Sequence, residues 1–216
     1  MKFFLILISI NTIFFNTVLL ANEDFTIDGT NLIYDTVKGD GNIDWDDNDF
    51  LISILQNNEI DQLILNSYGG LVFAAMEMTE VIVDYELNTH VNGVCYSSCY
   101  LLFLAGEKRS LNRLSKIGLH RAQWGPDSMR DYYLRWKDDE DFQWKNEFDF
   151  SSWAIKDHQK DIHDDFVYQL SRGVKADFIV KTLSAENEDM WMPERKELIQ
   201  SGVITERIKD YNKRKK

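Results

Sequence analysis

Proline and cysteine are nearly missing from this 216-residue chain, which has two of each. So few prolines beside 44% apolar residues exclude a disordered chain. The length fits one domain of ordinary size plus a short extension. Two cysteines, Cys95 and Cys99, with no second ligand pair exclude a tetrahedral zinc site. No metal or cofactor is expected. Positive charge is scarce too: 24 Lys and Arg against 36 Asp and Glu give a formal charge of −12. Such a surface repels nucleic acid and anionic lipid, so neither is expected as a partner. The one basic cluster, Lys213, Arg214, Lys215 and Lys216, reads as a solvated tail. Internal repeats, low-complexity linkers and an ATPase motif are absent from the sequence. A calcium loop near Gly41 is excluded, because Thr36 and Lys38 would occupy positions that need carboxylates.

The start of the chain lacks an unbroken apolar run. Lys2 precedes an apolar stretch over 3–20 that Asn11, Thr12, Asn16 and Thr17 interrupt, with Ala21 at its end. One positive charge, an apolar run and a small residue read as a secretory signal peptide over 1–21. The expected location is therefore periplasmic or secreted. A retained anchor over 3–20 is the alternative, and would be the only membrane contact. In an exported chain Cys95 and Cys99 can oxidise to a disulfide. Two small buried hydrophobes fit their spacing equally well, and both readings stand.

What is present is a run of alternating elements. Phe25, Ile27, Leu32 and Tyr34 predict a strand pair, and 38–49 a solvated loop. Phe50, Leu51, Ile54 and Leu55 have helical spacing. Leu63, Ile64 and Leu65 predict a buried strand leading into Asn66-Ser67-Tyr68-Gly69-Gly70, then a helix over 71–85. A strand over 90–94 leads into Cys95-Tyr96-Ser97-Ser98-Cys99 and an apolar helix over 100–105 capped by Gly106. A strand over 116–120 follows. This order predicts parallel pairing with crossover helices. The segment 123–185 is helical and rich in aromatics, including Trp124, Trp136, Trp144 and Trp153, with Gly173 as a stop. Its stripe reads as core or as a homo-oligomer contact. Pro193 opens a last helix, Gly202 closes it, and 203–208 reads as a final strand. The expected division is a signal segment 1–21, a core 22–122, the helical segment 123–185, and a helix-strand completion with the tail over 186–216.

Chemistry is expected where strands end and helices begin. A hydroxyl becomes a nucleophile only when a base takes its proton. It also needs donors aimed at the oxygen that turns negative. Ser97 and Ser98 sit at one strand-to-helix turn, and Gly69 and Gly70 at another, where absent side chains let a carbonyl approach backbone amides. His120 ends the next strand. In a parallel sheet these ends share one edge, where sites form. The plain alternatives are Ser97 as a helix cap, His120 as a core histidine and Gly69-Gly70 as a tight turn. His90, His158 and His163 read as structural or exposed.

Taken together, Asn66-Ser67-Tyr68-Gly69-Gly70, Gly93, Ser97, Leu101 to Gly106 and Ile117-Gly118-Leu119-His120 resemble the Clp-protease/crotonase superfamily. They resemble most its small exported bacterial branch with a C-x-S-x-C turn. The resemblance implies an α/β fold of repeated β-β-α units wound as a superhelix, with a helical insertion. It implies a serine hydrolase acting on peptides or proteins, with no cofactor. Ser97 is then the nucleophile, His120 the base and Asp189 the third member, with Glu188 or Glu186 as substitutes or a serine–histidine dyad as the alternative. Gly69 or Gly70 and the Ser98 N–H form the oxyanion hole. Tyr68 stands where the family has proline, and Cys99 where it has glycine. A catalytically inactive binding or assembly module is the rival reading.

Overall fold

The computed structural model describes residues 22–39, 41–186 and 188–206. The segment 1–21, expected to be a signal peptide, and the basic tail lie outside them. The first strand pair is an antiparallel hairpin, β1 (Phe25–Asp28) with β2 (Asn31–Asp35). The stretch expected to be a loop over 38–49 is overturned at its end, where helix α1 (Trp45–Asn57) already begins. The physical cause is a cap. Asp44 accepts the Trp45 N–H, and the Asp47 carboxylate accepts from the Asp44 N–H at 2.8 Å and from the Tyr34 hydroxyl at 2.6 Å.

Two strand–helix units follow: β3 (Gln62–Ser67) with α2 (Val72–Asp84), then β4 (Asn88–Tyr96) with α3 (Cys99–Ala105). Short strands β5 (Arg109–Leu111) and β6 (Lys116–Gly118) complete a six-stranded sheet. Its order is β1-β2-β3-β4-β5, with β6 also on β4, and every pairing but the first is parallel. Strand β5, too short to carry a period, was not legible in the sequence.

Strand β4 forks. Thr89 to Val91 pair with β5, whereas Val94 to Tyr96 pair with β6. Gly93, at φ +133°, marks the switch; a Cβ there would lie 2.2 Å from Asn66 Oδ1. That oxygen accepts the Val94 N–H at 3.0 Å, and the Asn66 amide donates to Asp35. The fork matters because β6 replaces β5 as neighbour just where β4 ends.

Helices α4 (Pro126–Trp136), α5 (Glu147–Ser171), α6 (Ala176–Thr182) and α7 (Arg195–Gln200) complete the fold among the described residues. Gly173 ends α5 at φ +81°, with the Val174 N–H on Gln169 O. The core joins Leu32, Leu63, Leu65 and Val91 of the sheet to Met78, Ile82, Leu102 and Phe103 of its helices. Burial of each large side chain contributes roughly 1.5–3 kcal/mol. Phe178, Ile179, Leu198 and Val203 extend this core. The aromatics of 124–153 form a separate cluster in which Tyr132 meets Trp124, Phe142, Trp144, Phe150 and Trp153.

Gly106 caps α3 as expected, but at φ −64° and not in the left-handed region. It is a close-approach glycine: a Cβ would lie 2.2 Å from Thr89 Oγ1. The final strand is not formed over 203–206, and 207–208 lie outside the described residues. Instead the Thr205 and Glu206 N–H groups both donate to Arg109 O. No helix among the described residues is long and apolar enough to cross a membrane.

Candidate active site

Strand pairing places the candidate residues. Tyr96 is opposite Gly118 in the β4–β6 register, and the Ser97 N–H donates to Gly118 O at 2.9 Å. Ser97 and His120 thus leave adjacent parallel strands at the same edge. Ser97 Oγ and His120 Nε2 are 2.7 Å apart. His120 Nδ1 is 2.9 Å from Arg121 O. A carbonyl only accepts, so Nδ1 carries the hydrogen and Nε2 is the acceptor facing the Ser97 hydroxyl. That is the tautomer a general base needs.

The conformation of Ser97 sets it apart. Its φ is +54°, one of two positive values among the described non-glycine residues. A left-handed side-chain-bearing residue costs about 1–2 kcal/mol and persists only where its surroundings impose it. Here Cys95 and Cys99 form a disulfide that closes a ring around the turn, Cα to Cα 5.2 Å. Both cysteines are fully buried. Of the two readings left open by the sequence, the bonded one is observed. Helix α3 starts at Cys99, and Ser97 makes no side-chain cap bond to it.

The double-glycine bend presses against this turn. A Cβ on Gly69 would meet Tyr96 O at 2.7 Å, Ser97 Cβ at 2.8 Å and Ser98 N at 3.1 Å, and Gly69 has φ +95°. A Cβ on Gly70 would strike the backbone of Ile43. The bend can approach the Ser97 turn because residue 69 is glycine, and the Ile43 backbone because residue 70 is. The expected donors are not equally free. The Gly69 N–H donates to Ser67 Oγ at 3.1 Å, and the Gly70 N–H to Ser98 Oγ at 2.8 Å. The Ser98 N–H has no acceptor among the described residues.

The third member departs from expectation. Asp189 is exposed, and the described hydrogen bonds of His120 go to Ser97 and Arg121 only. The cause is the bridge between Leu119 and Trp191, whose N–H groups donate to each other's carbonyls at 2.9 and 2.8 Å. It seats Met190 and Met192 over Gly118 and leaves Asp189 in the exposed turn before them. Glu186 pairs with the Arg121 guanidinium at 2.6 Å, and Glu188 is exposed. The orienting group that the sequence did not reveal is the Arg121 carbonyl, a main-chain atom without a residue-type signal. The Ser98 side chain was missed likewise, because its role depends on Gly70, 28 residues away.

The remaining histidines lie elsewhere. His90 Nδ1 is 2.7 Å from Ser110 Oγ across β4 and β5, and burial lowers its pKa from the ordinary value. His163 meets Asp164 on α5. Near the site, Tyr96 and Tyr68 are adjacent, ring centroids 5.9 Å apart, and burial raises the Tyr96 pKa.

No protein-family model matches this chain, and no curated protein matches it either. The class defined so far is a mixed α/β protein with a mostly parallel sheet and a serine–histidine pair at one strand edge.

Proposed function

We propose that this chain is a serine hydrolase, acting on peptide or protein substrates by acyl transfer. The observation that carries the reading is the 2.7 Å contact between Ser97 Oγ and His120 Nε2, with Nδ1 fixed by a main-chain carbonyl. Ser97 Oγ attacks the substrate carbonyl while His120 Nε2 takes its proton. The negative oxygen of the tetrahedral intermediate is held by the Ser98 N–H and a glycine N–H of the bend. His120 then gives its proton to the leaving amine or alcohol, and water releases the acyl group by the same route. The Arg121 carbonyl holds the imidazole tautomer and accepts from Nδ1–H throughout, with Asp189 outside the proton path.

The strand–helix alternation, the two glycine turns and the edge position of the pair support the Clp-protease/crotonase-like superhelical arrangement as the finer description of the fold. Export is supported by the disulfide, since such bonds persist in oxidising compartments. The non-catalytic rival has its own support: among the described residues no carboxylate partners His120, and both glycine donors are engaged.

Covalent labelling with a fluorophosphonate separates the two readings. The adduct is expected on Ser97 by peptide mass spectrometry, and lost in Ser97→Ala and His120→Ala variants that keep the wild-type Tm. A folded wild-type protein that takes up no label, or takes it up at another residue, overturns the hydrolase assignment.

A further inference from the structure

The polar groups of Gly70 face the nucleophile turn. On the opposite side the bend is already secured. The Ile43 N–H donates to Gly69 O, and the Leu71 N–H to Ile43 O, each at 2.9 Å. This parallel bridge uses the residues flanking Gly70 and leaves its own N–H and C=O turned away from Ile43. The Ser98 hydroxyl takes both. Its oxygen accepts the Gly70 N–H at 2.8 Å, and its hydrogen is directed to Gly70 O at 3.1 Å. Ser98 is only 4% exposed, so water does not compete freely for these groups.

Ser98 also supplies the one candidate N–H that lacks an acceptor among the described residues. Its Oγ thus holds the Gly70 N–H, and the same residue supplies the other candidate donor. A substrate carbonyl oxygen that is to use the Gly70 N–H has to take the place of this hydroxyl. We propose that Ser98 Oγ is a built-in placeholder for the substrate oxygen, and that acylation of Ser97 requires this hydroxyl to rotate off Gly70. The proposal rests on the hydrolase reading and deepens it. Ser98 is then a residue that sets the reactivity of the hole.

The sign of the effect follows from what holds the bend. Ile43 secures one side and the packing of Gly69 on Ser97 the other. Removing the hydroxyl leaves the bend in place and frees the Gly70 N–H for a substrate oxygen. A hydroxyl that served as a clamp would give the opposite sign.

The test compares wild type with Ser98→Ala in the second-order rate of labelling by an alkyl fluorophosphonate. In that reaction the Ser97 Oγ–P bond forms, the P–F bond breaks, fluoride leaves, and the Ser97 proton passes to His120 Nε2. Ser98→Ala is expected to react about five- to tenfold faster, the exchange of one ordinary hydrogen bond, even though Tm falls by a few degrees because the Gly70 N–H and C=O lose their partner. A folded Ser98→Ala that reacts at the wild-type rate or slower overturns the placeholder while the hydrolase reading stands. Absence of label on both proteins overturns both. Should Ser98→Ala fail to fold, the amide resonance of Gly70 in the wild-type protein decides. It is expected to shift on adduct formation, and an unmoved resonance overturns the proposal.

Discussion

Gly69 shows how much of a site can depend on an absent side chain. Its φ of +95° alone disfavours any other residue, but the closer constraint is that Ser97 Cβ would stand 2.8 Å from an added methyl. Gly29 offers the control, with φ +62° and nothing within 4 Å of its Cβ position. Gly69→Ala is expected to cost about 2–3 kcal/mol in urea unfolding, combining a left-handed alanine with overpacking. Gly29→Ala costs about 1 kcal/mol, from conformation alone. Displacing the bend from Ser97 also lowers fluorophosphonate labelling, by about a hundredfold for a shift near 1 Å. Labelling undiminished in Gly69→Ala would detach the bend from the chemistry. Gly69, Ser97 and His120 were legible because each combines a residue type with a place at the end of a strand. The Arg121 carbonyl and the Ser98 hydroxyl were not, because nothing in residue type marks a main-chain acceptor or a contact 28 positions away.

Helix α3 is only seven residues long, yet both its ends are engaged. At its start the Cys95–Cys99 ring imposes the left-handed turn. At its end, carbonyls of three helix termini converge on one buried guanidinium. Arg109 donates to Leu104 in the last turn of α3 and Gly106 just after it, Arg172 after α5, and Gly202 and Val203 after α7. Helix C-termini carry partial negative charge, so a cation at their junction is favoured. Burial, together with the neighbouring Arg172 charge, lowers the Arg109 pKa from its ordinary value. Arg109→Met leaves these carbonyls without their donor and is expected to destabilise the protein by about 3–5 kcal/mol in denaturant unfolding. A loss below 1 kcal/mol would show that the junction does not depend on the guanidinium. The disulfide should divide its effects differently. Cys95→Ala/Cys99→Ala removes a five-residue ring, about 2 kcal/mol of unfolding free energy. It also frees the φ of Ser97, so labelling falls more than tenfold in protein that remains folded by circular dichroism. Equal labelling of the cysteine-free protein would show that the turn holds itself. The helices of this region were legible from apolar spacing, whereas Arg109 was hidden in β5, which has only three residues.

On the scale of the whole molecule, acidity sets the response to pH. The chain carries a formal charge of −12, and repulsion at that charge opposes the compact state. Two carboxylates on α5 add to this. Burial, with Asp157 beside it, raises the Asp161 pKa, and burial raises that of Asp165 against the opposing hydrogen bond from Gln169. A carboxylate with a raised folded-state pKa binds its proton sooner in the folded chain. Stability therefore grows as pH falls through that value, and the gain is complete below the ordinary carboxylate range. Asp164 and Glu197 act the other way, since hydrogen bonds from Lys160 and Lys181 lower their pKa values. Both are exposed, and their contribution is lost only at lower pH, as their depressed values are crossed. Tm should therefore rise as pH falls toward the ordinary carboxylate range and fall again below it, where the depressed carboxylates take up their protons. Asp165→Asn keeps a side chain of the same shape beside Gln169 but cannot titrate. It should raise Tm at pH 8 and flatten the rise on acidification toward the ordinary carboxylate range. A variant whose Tm follows the wild-type curve would assign the whole effect to overall charge, and would leave the buried end of α5 without a part in it.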